Sequence, residues 1–135
     1  MKQKVKRVRI ADEVDVALAT FDAKSFAETI GFTQSEQFMI ATAVSELARN
    51  MWRYAGKGDI LLKVLDRNAT NGIELIAADH GPGIEDTEQA LEDHFSTSGS
   101  LGLGLPGVKR LMDEFTIESE CGSGTTVTAR KWLSS

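Results

Sequence analysis

Disulfides are out of reach for this chain, because its 135 residues include a single cysteine, Cys121. A lone thiol cannot pair within the chain, and no Cys/His cluster has zinc-ligand spacing, which points to a reducing compartment and no structural metal. No apolar run reaches 18 residues, and none of 7–15 residues follows the basic start. The sequence therefore predicts neither a transmembrane helix nor a signal peptide, and a cytoplasmic location with no membrane partner. Positive charge is also short: 15 Lys and Arg stand against 20 Asp and Glu, giving a net charge of −5, which argues against a general nucleic-acid binder. Two prolines are too few for a Pro-rich linker, and there is no internal repeat or low-complexity tract. The phosphate-loop pattern ending in Gly-Lys-Ser/Thr is missing, as are the His-Arg-Asp and Asp-Phe-Gly signatures of eukaryotic-type kinases.

What is present fits one domain over residues 1–135, long enough to bury about 70% of its unfolded surface. Val5, Val8 and Ile10 suggest an edge strand before the Ala11-Asp12 break. Asp12 is placed to cap a helix in which Val14, Leu18, Phe21, Phe26 and Ile30 fall near a 3.6-residue period, with Gly31 as its stop. Thr33-Gln34-Ser35-Glu36 has the capping-box spacing that starts a second, longer helix running to about Tyr54. Asp59 to Asp66 and Ile73 to Ala78 read as a hairpin joined by the turn-rich segment 68–72. A helix from Leu105 to Phe115 and a second hairpin, 116–119 with 125–130, complete an α+β layer structure. Its expected sheet is antiparallel or mixed, covered on one face.

Backbone freedom is concentrated in one place. Six of the twelve glycines fall between Asp79 and Gly107, five of them in Asp79-His80-Gly81-Pro82-Gly83 and in Gly102-Leu103-Gly104-Leu105-Pro106-Gly107. Glycine carries the largest ordering entropy of any residue, so such clusters call for positive φ or a backbone that approaches a ligand closely. The second cluster runs into an amphipathic segment and would set free N–H groups at a helix N-terminus, where anions bind. The interval from Glu85 to Ser100 is polar and acidic and reads as a lid. Gly102-x-Gly104-x-x-Gly107 formally fits the dinucleotide fingerprint, but no buried strand precedes it and Val127 stands where the acid about 20 residues on should be.

On the second helix, Glu46, Asn50 and Arg53 are spaced by four and three residues and share a face. Two readings of this stripe stand. It is either a solvated polar face, or a carboxylate, carboxamide and guanidinium that hold a hydrated Mg²⁺ and phosphate oxygens. His80 and His94 lack a nearby Ser or Cys elbow and read as ordinary loop residues. Trp52 and Trp132, without interleaved basic residues, read as core or edge packing.

Four segments in order then carry a resemblance: Glu46-Leu47-Ala48-Arg49-Asn50, Asp79-His80-Gly81-Pro82-Gly83, Gly102-Leu103-Gly104-Leu105 and Gly122-Ser123-Gly124-Thr125-Thr126. Together they resemble the N, G1 and G2 boxes and closing threonine of the GHKL (Bergerat-fold) ATP-binding family. Within it, the length and the run from Gly104 to Phe115 are most similar to the bacterial anti-sigma-type serine kinases, including the stressosome switch kinase. The resemblance implies a two-layer α/β sandwich and the cofactors ATP and Mg²⁺. It implies Asn50 as the Mg²⁺ ligand, Glu46 as general base and Arg53 near phosphate. It places Asp79, Gly81 and Gly83 at adenine, Gly102, Leu103 and Gly104 in the turn around the phosphates, and Thr125 beside adenine. It further implies a STAS-domain protein as substrate and a PP2C-type phosphatase as second partner in a stress-response switch. A different class remains beside it, a nucleotide-regulated anti-sigma-type binding module without turnover.

Overall fold

The computed structural model describes residues 4–81, 104–120 and 122–133. Within them the chain runs β1 (Val5–Ile10), α1 (Val14–Ile30), α2 (Gln34–Ala55), β2 (Gly58–Arg67), β3 (Thr70–Asp79), α3 (Gly104–Leu111), β4 (Glu114–Glu120) and β5 (Gly124–Trp132). The five strands form one sheet in the order β1-β2-β3-β5-β4. Every neighbouring pair is antiparallel, the narrower of the two sheet types expected. Alternation along the strands turns Ile60, Leu62, Ile73, Leu75, Val127 and Ala129 into the core under the helices.

The two long helices have legible ends. Thr33 accepts from the Glu36 N–H at 3.2 Å while Glu36 Oε1 accepts from the Thr33 N–H at 3.0 Å, a reciprocal capping box. Gly31 closes α1 at φ 114°, and the Phe32 N–H donates to the Ala27 carbonyl at 3.2 Å, satisfying one of the carbonyls a helix end leaves open. Asp12 does not cap α1. Glu13 holds the cap position without a side-chain bond, and the Asp15 carboxylate instead accepts from the Ala11 and Asp12 N–H groups at 2.9 and 3.0 Å.

Three other expectations are corrected. The apolar residues of α1 are not one stripe: at 3.6 residues per turn Val14, Leu18 and Phe21 lie within about 60° of each other, on the side away from Ala19, Ala23 and Ala27. The alanines are fully buried and the larger three exposed. The β2–β3 turn is tighter than 68–72, for only Asn68 and Ala69 take positive φ, 49° and 67°, and Thr70 already pairs with Arg67. Both central residues at positive φ is the twist-matched hairpin turn. The third helix stops at Leu111, not Phe115: Phe115 pairs with Ala129 in the sheet, and the Asp113 N–H donates to the Arg130 carbonyl at 2.8 Å, so ladder bonds override the continuing helical period.

The face of the sheet away from the helices is polar and cross-linked. Arg130 donates to Glu74 at 2.7 Å and to Glu114 at 3.3 Å, and the Trp132 indole N–H donates to Glu114 at 2.6 Å under the Arg67 guanidinium. The indole bond, helped by Arg130, holds the Glu114 carboxyl below its usual range. Trp132 thus packs on the polar face at the end of an inner strand, whereas Trp52 stands exposed on α2, outside the core expected for it. On β1, Arg7 bonds Asp59 of β2 at 3.0 Å and keeps that carboxyl low. Among the described residues no helix is long and apolar enough to cross a membrane.

Candidate functional site

The site begins on α2, whose capping box fixes where its turns point. Glu46 is only 7% exposed, and a buried carboxylate needs donors for its oxygens. Two are supplied. Arg49, one turn on, donates to Oε1 at 3.0 Å, and the Gly104 N–H at the start of α3 donates to Oε2 at 3.3 Å. The first N–H groups of a helix have no intrahelical acceptor, so α3 presents donors at the very carboxylate that α2 delivers. Gly104 takes φ +63° there, the left-handed conformation that its glycine makes cheap. Asn50 lies one turn beyond Glu46 and is half-buried.

The other end of the site is where β3 stops. Asp79 Oδ1 accepts from the Gly81 N–H at 2.9 Å and from the Thr125 N–H on β5 at 3.3 Å, so one carboxylate oxygen ties the strand exit to its neighbour. The Thr125 hydroxyl in turn sits 2.9 Å from Ser119 Oγ. Space here is cut to the backbone. A Cβ at Gly81 would lie 2.6 Å from Ala55 Cβ, and one at Gly124 would collide with the Asp79 carbonyl oxygen and come 2.8 Å from His80 Cα. Ala55 is the last residue of α2, so Asp79 borders the C-terminal end of a helix whose middle carries Glu46. At 1.5 Å per residue the nine steps from 46 to 55 span about 14 Å. A site of that length suits an elongated ligand, with a hydrogen-bonding carboxylate at one end and helix N-terminal donors at the other.

The structure thus brings together Glu46, Asn50 and Gly104 at one end and Asp79, Gly81 and Thr125 at the other. Arg53 stands apart. It is exposed and lines a groove between α1 and α2, with Arg49 and Trp52. Gly83, Gly102 and Leu103, and the segment 85–101 read as a lid, lie outside the described residues, as do His94 and Cys121. Three contributors went unnamed as site residues: Arg49, whose i, i+3 spacing from Glu46 is a helix-pair signal; Ala55, the wall behind Gly81; and Gly124. Gly124 stood inside a quoted segment without a role, and only the fold announces Ala55.

The donor set fits a nucleotide with its cation. Among the described residues no three His, Cys, Asp or Glu cluster as a metal cage, and Mg²⁺ bound with phosphates needs none, since it keeps waters and takes one or two protein oxygens. Asn50 and Glu46 offer such oxygens.

An open antiparallel sheet with helices on one face, with hydrogen-bonded carboxylates along α2 and at the β3 exit, suits a nucleotide-binding domain. Residues 10–131 match the family model described as histidine kinase-like ATPase domain, and the chain belongs to that family. Serine/threonine-protein kinase RsbT of Bacillus subtilis (strain 168) is 50% identical over 126 residues, covering 93% of this chain and 95% of that protein. With such a relative the chain is a protein-serine/threonine kinase. An anti-sigma F factor of Thermoanaerobacter sp. (strain X514) is 36% identical over 117 residues, covering 82% of this chain and 80% of its own length. Among solved structures, the RsbU and RsbW domains of Rv1364c from Mycobacterium tuberculosis superpose with a TM-score of 0.66 at 17% identity, over 96% of this chain and 32% of that one. The mycobacterial sensor histidine kinase MprB gives 0.57 at 17% identity, over 94% and 96%. Both share the fold.

Proposed function

We propose that this single domain, residues 1–135, binds Mg-ATP along the α2 cleft and phosphorylates a serine or threonine of a small STAS-domain antagonist protein. Freed by that modification, it then engages and activates a PP2C-type phosphatase. The observation that carries the reading is the pair of carboxylates set along α2, Glu46 at its middle and Asp79 beside its C-terminal end. Glu46 is buried and held by Arg49 and Gly104; Asp79 is fixed at the strand exit by Gly81 and Thr125.

The roles follow from position. Asp79 accepts from the exocyclic amine of adenine, beside Thr125, while Gly81 admits the ring edge where any side chain would strike Ala55. Asn50 holds the cation through its carboxamide oxygen. Glu46 receives the proton of the acceptor hydroxyl, held in one orientation by its two donors. The α3 N-terminus offers amides to phosphate oxygens. Mg-ATP, when bound, supplies the phosphoryl group and neutralises charge, and such transfer asks mainly for positioning. A phosphate on the antagonist brings about −2 charge into a packed interface, which weakens the complex.

A second reading is a nucleotide-regulated binding module of the anti-sigma type, without turnover, for which the relatives' name supports only the binding of a sigma factor. Incubation with Mg-ATP and purified STAS-domain proteins, followed by phosphosite mass spectrometry, separates the two. Transfer to one serine or threonine is expected. Nucleotide-dependent complex formation with no phosphate incorporated leaves the second reading standing and ends the first.

A further inference from the structure

Away from the cleft, α1 and α2 face solvent with a surface that the nucleotide chemistry does not use. Between them runs a groove of about 710 Å³. Its aromatic walls are open to water: Phe21 is 68%, Phe38 54% and Trp52 36% exposed. Small residues, Ala17, Ala41 and Ser45, leave the space between these walls. The volume falls within the range of roughly 300–1,000 Å³ for ligand clefts, but such clefts bury their aromatic lining, and this one does not. Beyond the groove the apolar surface continues along α1 through Leu18 and Val14, both exposed. Contiguous exposed apolar surface with a polar rim is the mark of a macromolecular contact.

The rim carries a sign. Lys24, Arg49 and Arg53 line the groove against one acid, Glu13; with Arg49 paired to Glu46, Lys24 and Arg53 give the rim its positive sign in a chain whose net charge is −5. Lys24 lies over the Phe38 ring at 5.2 Å, so cation and aromatic form one continuous surface. A second copy of this chain is a poor occupant, since self-pairing of this face would bring its own cations together. Two helices flanking a trough suit a third helix, whose apolar residues at i, i+3 or i+4, and i+7 drop between the walls. We propose that the α1–α2 groove docks an amphipathic helix of a partner protein, apolar on one side and carrying Asp or Glu on its flank, with Phe21, Phe38 and Trp52 as anchors and Lys24 and Arg53 as charge partners. The surface stands on its own geometry and needs no nucleotide.

A display library of helical 18-residue peptides tests this on the full chain, without nucleotide, so that failure of the kinase reading cannot be mistaken for failure here. The library fixes leucines along one face and randomises the rest. Enrichment of Asp and Glu beside the leucine stripe is expected. The winning peptide should lose about 10–100-fold in affinity for Phe21→Ala, an anchor truncation. It should lose about 10-fold for Lys24→Glu and recover when its facing acid is changed to lysine. Both positions are on the surface, and circular dichroism and melting of each variant establish that it folds. Enrichment of neutral or basic sequences, winners indifferent to Phe21→Ala, or no enrichment overturns the proposal. So does a wild-type dimer by sedimentation that Phe21→Glu turns into a monomer, since the groove then belongs to a second copy.

Discussion

Gly124→Ala is expected to damage this protein more than its small size suggests, and the reasons are separable. Gly124 sits at φ +105°, outside the conformations open to an L-residue, which costs about 1–2 kcal/mol. The added methyl also meets the Asp79 carbonyl, with His80 Cα at 2.8 Å and the Asp79 carbonyl carbon at 2.9 Å. These are backbone atoms, unable to rotate aside, and forced overpacking costs about 1–3 kcal/mol. Together the penalty is about 2–5 kcal/mol, against total stabilities of about 5–15 kcal/mol. At about 4 °C per kcal/mol for a domain of this size, Tm should fall by about 8–20 °C in differential scanning calorimetry. Gly122→Ala supplies the control: its φ is +83° but nothing lies within 4 Å of its Cβ position, so the strain of about 1 kcal/mol acts alone and lowers Tm by about 4 °C. Equal melting temperatures for the two variants would refute the claim that β5 is held against the β3 exit by close backbone contact.

Three further outcomes follow from the site and the sheet. Glu46→Gln keeps an acceptor for the Gly104 N–H but cannot take a proton, so phosphoryl transfer should drop about 10²–10⁴-fold while nucleotide affinity holds; unaltered transfer rates remove the base role. Asp79→Asn should abolish the thermal shift that Mg-ATP gives the wild type, worth about 2.7 kcal/mol at 100 times Kd, and a variant that still shifts fully shows adenine to be read elsewhere. Glu114 is held low by Trp132 and Arg130. Its folded value therefore lies below its unfolded one, near pH 4, so it adds stability above that range and loses it as pH falls through the folded value. Wild-type Tm should decline more steeply than that of Glu114→Gln between about pH 5 and 3, and parallel curves would deny the pairing any part in acid stability.

Local chemistry made much of the fold readable. The capping box at Thr33, the stop at Gly31 and the β2–β3 hairpin depend on neighbours a few residues apart, and all three are found. Phe115 was misread for the opposite reason: Leu105, Val108, Leu111, Met112 and Phe115 keep a helical period, and only its pairing with Ala129 decides for a strand. In α1 the period fitted apolar residues on two opposite faces, and no window of sequence says which faces the sheet. At the site, Glu46 and Asp79 stood out as acids beside special backbone. Gly104 and Thr125 were named too, but not as the donors that hold these carboxylates, because Gly104 is 58 residues from Glu46 and Thr125 is 46 from Asp79.

Because Ala19, Ala23 and Ala27 fill the inner side of α1, its bulkier apolar residues stay in water in the free chain. Each molecule is then a colloidal particle with one adhesive side, and net charge keeps copies apart. That repulsion reaches about 10 Å at 0.1 M salt but only about 3 Å at 1 M. The second virial coefficient measured by light scattering should therefore fall as salt rises, and fall less for Phe21→Glu. A salt-independent coefficient would mean that α1's outer side is not adhesive. The tight alanine seam that fixes the core thus also gives free molecules a weak, salt-dependent attraction, short of the stable pairing that the cations of this face oppose.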